Sequence, residues 1–239
     1  MLSPRIPVLC PLDGPRGQAA GPRVFITGSA RSGTTLLLNL FRLFTDVSVL
    51  DRENCIRSVV SDPVPGWLIA KRTPHCAEHL IADLPLIDKT WIVDITRDPR
   101  DVVSSKLDGW PDFYCDFTRW ARDARVIGQV RGLHLRLIQI RYERLVTDPS
   151  RVMSELGDIL GLGKPLPSQE YPSAVPEDLS PQATSALGGV RPVSRERVGR
   201  WRLESSSRRR VAEQLKSNAD MEVLLQYAGY EVTEETALP

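Results

Sequence analysis

The chain has 239 residues, of which 41% are hydrophobic and 26% are charged, and its formal net charge is +1. This length and apolar content predict one globular domain with a substantial core. A nearly neutral chain lacks the overall positive field of a nucleic-acid-binding protein, so we expect no nucleic-acid partner. We interpret residues 1–22, which are rich in Pro and Gly, as a flexible N-terminal arm, and 23–239 as the domain.

The four cysteines, Cys10, Cys55, Cys76 and Cys115, are scattered without a short paired spacing. They predict neither a zinc site nor a disulfide framework, and the pattern is typical of a reducing compartment. No segment is long and apolar enough to span a membrane, and prolines interrupt the short apolar stretch at the N-terminus. We therefore expect a cytoplasmic protein without a membrane span.

The first strong pattern is an apolar run at 24–26, then the sequence GSARSGTT at 28–35, then a second apolar run at 36–44. Two glycines separated by four residues at a strand-to-helix turn form a cradle in which backbone N–H groups and the helix dipole bind phosphate. A nucleotide-hydrolysing P-loop has Lys after the second glycine. Here Thr34 follows Gly33, and the cation, Arg31, lies inside the loop.

The next segments have less regular patterns. We predict short strands at 47–50 and 67–70 and a helix at 78–84. Between them, the sequences LDREN and KRTPH offer polar side chains, which are Asp51, Glu53, Lys71 and His75. His75 and His79 have the spacing of two metal ligands on one helix face, but Pro74 places them at the first turn, and we expect no metal site.

The second strong pattern is a buried strand at 91–96 that ends at Arg97 and is followed by Pro99. Pro can open a helix, and we predict one that continues to 106 and carries Ser105 in its second turn. Open α/β sheets bind ligands at the carboxyl ends of their strands. A guanidinium and a hydroxyl at this place, from Arg97 and Ser105, would bind phosphate. We expect the neighbouring charges at 98, 100 and 101 to form a solvated cap.

The C-terminal half predicts a helix at 116–130, a strand at 135–140, a helix at 149–160 and a final helix at 206–227. Strands that alternate with helices indicate a parallel α/β sheet. The segment 161–192, rich in Pro, Ser and Gly, is expected to be a substrate-facing loop. Residues 194–202 read SRERVGRWR, a basic loop in which Gly199 permits close backbone approach.

Loop 28–35, Arg97 with Ser105, and basic loop 194–202, in that order, resemble the donor site of sulfotransferases that use 3′-phosphoadenosine 5′-phosphosulfate (PAPS), in their soluble bacterial branch. The resemblance implies the sulfotransferase fold, an α/β P-loop-type parallel sheet flanked by helices. It also implies in-line transfer of a sulfuryl group from PAPS to a hydroxyl or amine of a small molecule or glycan. The product is 3′-phosphoadenosine 5′-phosphate (PAP), and no metal is required.

The resemblance further implies roles for individual residues. Arg31 would neutralise charge on the departing phosphate, Lys71 would hold the sulfuryl oxygens, and Glu53 or His75 would take the acceptor's proton, with Asp51 left open. The residues implied in donor binding are Ala30, Arg31, Ser32, Gly33, Thr34, Thr35, Arg97, Ser105, Arg197, Gly199, Arg200 and Trp201. Trp201 would pack or stack.

Two other functions compete with this interpretation. In a P-loop kinase or phosphotransferase, the apolar run that ends at Asp94 would act as a Walker B strand, but the missing Lys after Gly33 argues against it. A non-catalytic module that binds PAPS or PAP would share the donor residues and have no acceptor.

Overall fold

The computed structural model describes residues 21–72, 77–107 and 112–231. Within these ranges, one five-stranded sheet forms in the order β2-β3-β1-β4-β5, and all its strand pairs are parallel. Its strands are β1 (Arg23–Thr27), β2 (Val47–Asn54), β3 (Trp67–Arg72), β4 (Trp91–Thr96) and β5 (Leu137–Arg141). The predicted α/β architecture, a P-loop-type parallel sheet flanked by helices, is confirmed.

Helices connect these strands and cover both faces of the sheet. In the described part of the chain they are α1 (Thr34–Leu40), α2 (Ile56–Val60), α3 (Ala77–Asp83), α4 (Pro99–Val103), α5 (Phe117–Leu133), α6 (Tyr142–Thr147), α7 (Pro149–Leu160), α8 (Tyr171–Ala174), α9 (Pro181–Leu187), α10 (Ser205–Ser217) and α11 (Met221–Tyr227). Short 3-10 turns extend several of them and also occur at Arg200–Arg202 in the basic loop.

Three element predictions need correction. The final helix, predicted as one, is broken between α10 and α11, because Asn218 adopts an extended conformation, and Asn favours helix ends over helix interiors. Helix α4 ends at Val103, so Ser105 lies beyond it and not in its second turn. Strand β2 continues to Asn54, four residues past its predicted end. The segment 161–192 contains α8 and α9, while its role toward substrate stays a prediction.

Alternating side chains of the strands build two apolar cores. Val24, Ile26 and Val93 face α1, α6 and α7, whereas Phe25 and Ile92 face α2, α3 and α5. A third cluster joins α4, α5, α10 and α11, and it includes the buried indole of the basic loop at position 201. The sheet therefore fixes the carboxyl ends of β1, β3 and β4 at one edge, where the polar residues gather.

Strand β3 ends in two adjacent cations that point to opposite faces of the sheet. Lys71 lies on the face of α1, and Arg72 lies on the face of α5, where its guanidinium forms an ion pair with Asp123 at 2.7 Å. Both side chains of this pair are only 4% exposed. Arg72 also donates two hydrogen bonds, of 3.0 and 2.5 Å, to the carbonyl of Gly28. The buried pair therefore supports the first residue of loop 28–35.

The cysteine prediction is wrong at one position. Cys55 is disulfide-bonded, and Cys115 is a buried free thiol. Burial raises the pKa of the Cys115 thiol to about 12, because the thiolate would lose its hydration. Since disulfides are typical of oxidising compartments, the cysteines do not support the expected reducing one. None of the helices within the described residues has the length and apolarity to cross a membrane.

Replacing Asp123 tests the buried pair. In Asp123→Ala the buried guanidinium of Arg72 has no anionic partner, and we expect the free energy of unfolding to fall by about 3–5 kcal/mol. Urea denaturation followed by circular dichroism measures this change. Asp220→Ala is the matched control, because Asp220 is 79% exposed in its ion pair with Arg125. It should cost less than about 1 kcal/mol. Equal effects of the two substitutions would contradict the structural role of the buried pair.

Candidate active site

Loop 28–35 is tightly constrained. Gly33 caps α1 with φ 101°, and a Cβ at that position would lie 2.6 Å from Cδ2 of Tyr142, so only glycine fits there. Arg31 has φ 68°, a left-handed conformation that costs a non-glycine residue about 1–3 kcal/mol. The Ser32 N–H closes the turn by donating to the Ser29 carbonyl at 3.1 Å. The loop thus holds a cation in a strained backbone position at the edge of the sheet.

The side chain of Arg31 connects this loop to the segment after α4. Its Nε donates to Oγ of Ser105 at 3.0 Å, and its Nη2 donates to the carbonyl of Lys106 at 3.2 Å. Although Ser105 lies outside the helix in which it was predicted, the fold brings its hydroxyl to Arg31. Two residues that are far apart in sequence thereby meet.

Arg97 joins the same loop to the basic loop 194–202. Its Nη1 donates to the carbonyl of Arg31 at 3.0 Å, and its Nη2 donates to the carbonyl of Arg197 at 2.5 Å. The guanidinium lies 4.4 Å from the ring centre of Tyr142. The ring of Tyr142 thus touches both Arg97 and the space beside Gly33. The sequence predicts only a structural role for Tyr142, so its position beside Arg97 and Gly33 was not expected.

The prediction of a solvated charged cap after Arg97 is wrong, because Asp98, Arg100 and Asp101 are all buried. Asp98 caps α4 by accepting from the Arg100 N–H at 2.9 Å, and it also pairs with the guanidinium of Arg100. Asp101 accepts from the backbone N–H of Gly199 at 2.7 Å. The signal available in the sequence was that Asp101 follows Arg97 by four residues, and in the structure the two side chains lie 3.9 Å apart.

Most of the side chains predicted to bind the donor surround two adjoining cavities. A cavity of about 240 Å³ is lined by Arg31, Arg97, Asp101, Ser104, Ser105, Lys106, Ser185, Gly188, Arg197, Arg200, Trp201, Glu204 and Ser207. The second, of about 90 Å³, includes Gly33, Thr34 and Thr35. Arg31, Arg97 and Arg197 border both cavities. Ala30 and Ser32 line neither, and Gly199 lies in the basic loop that borders the larger cavity.

The basic loop is anchored by its tryptophan. Trp201 is buried, and the guanidinium groups of Arg100 and Arg202 lie 4.9 and 4.5 Å from the centre of its ring. Of the two predicted roles, packing is therefore the one that its surroundings favour. Burial lowers the pKa of the Arg197 guanidinium, while Arg200 remains exposed and pairs with Glu204.

A second group of predicted residues lies beside α1. The Lys71 ammonium donates to Oγ1 of Thr35 at 3.1 Å and to Oε1 of Glu53 at 3.2 Å. The Glu53 side chain is 42% exposed, so solvent has access to its carboxylate. Asp51 instead pairs with Arg42. His75 lies outside the described residues.

Asp94 lies on the opposite face of the sheet, beneath α5. It lines a separate cavity of about 320 Å³ behind loop 28–35, and it accepts a hydrogen bond from Oγ1 of Thr96 at 3.1 Å. Burial raises the pKa of Asp94 to about 6. No group of three His, Cys, Asp or Glu side chains with metal-binding proximity occurs in the described part of the chain.

Asp94 makes stability depend on pH. Because its native pKa is about 6 and its ordinary value is 3.8, the folded state binds this proton more tightly than the unfolded state does. Its contribution to the free energy of unfolding is present at low pH and is lost as pH rises through 6. Asp94→Asn mimics the protonated form, so its stability relative to the wild type should rise by up to about 3 kcal/mol between pH 4 and 7.

Denaturant unfolding at several pH values measures this difference. Asp220→Asn, at an exposed position, should show no such trend. A difference between Asp94→Asn and the wild type that stays constant from pH 4 to 7 would contradict the shifted pKa.

Known proteins were compared with this chain by sequence and by structure. No protein-family model matches it, and no curated protein does. Among solved structures, the sulfotransferase domain of the Synechococcus PCC 7002 olefin synthase is similar, with a TM-score of 0.62 and 18% identity over 92% of this chain and 99% of that chain. The sulfotransferase domain from the curacin biosynthetic pathway has a TM-score of 0.57 and 17% identity over 91% of this chain and 100% of that one.

Mouse sulfotransferase SULT7A1, solved in complex with PAP, has a TM-score of 0.53 and 13% identity, and the match covers 88% of this chain and 90% of that one. At these identities the likeness concerns the fold. The chain therefore has the α/β fold of sulfotransferase domains.

Proposed function

We propose that this protein transfers a sulfuryl group from PAPS to a hydroxyl or amine of a small molecule or glycan. The observation that carries the proposal is the convergence of Arg31, Arg97, Arg197 and Ser105 around two adjoining cavities at the carboxyl edge of the sheet. Guanidinium groups and hydroxyls are donors suited to phosphate and sulfate oxygens. The likeness in fold to sulfotransferase domains supports the same activity.

The two cavities suit the two anionic ends of the donor. Ser105, Arg197 and Arg200 border the larger cavity, which we assign to the 3′-phosphate. Gly33, Thr34 and Thr35 border the smaller one, which we assign to the 5′ side of the donor, beside the start of α1. Arg31 and Arg97 lie on the border between them, so each can interact with either end.

The group beside α1 suits proton transfer. Glu53 is our candidate base, because it is solvent-accessible and lies 3.2 Å from Lys71, which in turn contacts Thr35 of the loop. In the proposed reaction, the acceptor oxygen or nitrogen attacks sulfur while its proton passes to Glu53. The bond between sulfur and the bridging phosphate oxygen breaks, and PAP leaves with that electron pair. Lys71 and Arg31 would stabilise the charge on the sulfuryl and phosphate oxygens.

Calorimetric titration with PAP, in the absence of metal, tests the donor site. We expect micromolar or tighter binding to the wild type, and at least tenfold weaker binding to Arg97→Ala, a loss of about 1.4 kcal/mol. Arg151→Ala, which removes a 71% exposed guanidinium on α7, should bind PAP as the wild type does. No PAP binding, together with binding of ATP that requires magnesium, would favour the kinase instead.

Substitution of Glu53 tests the base. Sulfuryl transfer from PAPS to a panel of phenols, alcohols and amines, measured as PAP release, first identifies an acceptor. With that acceptor, Glu53→Gln should lower kcat by about 10²–10⁴-fold and leave the Kd for PAP unchanged. Asp51→Asn is the matched control, and it should retain kcat within a few-fold.

Other outcomes separate the remaining candidates. If Glu53→Gln retains the wild-type kcat and His75→Ala lowers it, His75 is the proton acceptor. If Asp51→Asn alone lowers kcat, the proton acceptor is Asp51. If PAP binds tightly and no acceptor in the panel is sulfated, the non-catalytic PAP-binding module becomes the better interpretation.

A further inference from the structure

A buried carboxylate holds the basic loop in place. The side chain of Asp101 is 1% exposed, and its two oxygens accept from the N–H of Gly199 at 2.7 Å and from the N–H of Trp201 at 3.0 Å. The nearer carboxylate oxygen also lies 3.9 Å from Nη2 of Arg97. Hydrogen bonds to an ionised acceptor are stronger than those between neutral groups. Asp101 therefore links α4 to the backbone of the loop at two residues on either side of Arg200.

The position of this carboxylate has an electrostatic cost. Asp101 lines the cavity that Arg31, Arg97 and Arg197 also line, and a negative charge there opposes the binding of a phosphate. Its oxygens, however, are directed to the two backbone N–H groups. Its role is therefore to be found in the loop that it holds.

The loop held by Asp101 carries two of the cations that line the cavity, Arg197 and Arg200. Gly199 has φ 68°, and the chain turns there between Arg197 and Arg200. The indole of Trp201 fills the third apolar cluster, so it and Asp101 fix the same short segment from two sides. In this arrangement the Arg197 carbonyl accepts a hydrogen bond from the guanidinium of Arg97. If Asp101 no longer held the loop, Arg197 and Arg200 would lose their fixed positions at the cavity.

We propose that Asp101 is a positioning residue that makes the donor site selective for nucleotides with a 3′-phosphate. It does so by holding Arg197 and Arg200 at the 240 Å³ cavity. This inference rests on the proposed function, because it takes that cavity as the 3′-phosphate site. Selectivity here means the ratio of the Kd for AMP to the Kd for PAP, two ligands that differ only in the 3′-phosphate.

The test is Asp101→Asn, which keeps the size of the side chain and removes its charge. The amide has one acceptor oxygen, so one of the two loop N–H groups loses its partner. We expect the Kd for PAP to rise at least tenfold and the Kd for AMP to change less than twofold, as measured by calorimetry. The selectivity ratio then falls by about an order of magnitude. Asp158→Asn, on the exposed face of α7, should leave both constants unchanged.

Two results would overturn the inference while leaving the proposed function intact. One is a selectivity ratio that stays at its wild-type value. The other is tighter binding of PAP to the variant, which would mean that Asp101 acts only as a repelling charge. A wild-type protein that binds no PAP would instead overturn the proposed function and this inference with it.

A second variant tests the position of the carboxylate. Asp101→Glu keeps the charge and displaces the oxygens by one methylene, and it should lower the selectivity ratio as Asp101→Asn does.

A measurement on the unmodified protein covers the case in which Asp101→Asn does not fold. Trypsin cleaves after arginine, so its rate of cleavage after Arg195, Arg197 and Arg200 reports how firmly the loop is held. PAP should slow this cleavage at least tenfold, and AMP should have little effect. If PAP and AMP slowed cleavage of the loop equally, the loop would not respond to the 3′-phosphate, and the inference would be contradicted.

Discussion

The candidate site depends on the guanidinium of Arg97, which joins two loops from opposite ends of the chain. Its hydrogen bonds to the carbonyls of Arg31 and Arg197 set the distance between loop 28–35 and basic loop 194–202. A buried guanidinium requires such partners, because its desolvation is costly without them. Arg97 in turn depends on β4, a central strand hydrogen-bonded on both sides. Through Arg97, the sheet therefore fixes the positions of two loops that have little regular structure of their own.

The sequence was sufficient for the parts of the fold that follow local rules. Glycine spacing, apolar runs and Pro99 predicted loop 28–35, strand β4 and the beginning of α4, because each of these depends on neighbouring residues. The order of β-strands and helices was enough for a parallel sheet. The predicted partner of Ser105 was Arg97, whereas the Ser105 hydroxyl accepts a hydrogen bond from Arg31, a contact between distant residues that no local pattern indicates. The helix predicted for Ser105 was also wrong.

The residues that the sequence did not reveal are those whose partners lie on other elements. Asp101 was expected to lie in a solvated cap, because a charged residue is usually a solvated one, and nothing in the sequence singled out Asp123. Each is instead buried against a group that folding brings from far away, the basic loop for Asp101 and β3 for Asp123. The break between α10 and α11 was not predicted, because the apolar pattern continues through it. Asn218 nevertheless ends α10 in an extended conformation.

The alternation of Lys71 and Arg72 at the end of β3 limits how this chain can vary in length. A single-residue insertion or deletion within β3 would exchange the faces of the two cations. The cation beside Glu53 would then point toward Asp123, and the partner of Asp123 would point toward α1. The turn before the strand is also constrained, because the buried Arg23 guanidinium donates to the carbonyls of Asp62, Val64 and Gly66. Homologues that differ in length should therefore keep the spacing of these two residues from the start of the strand.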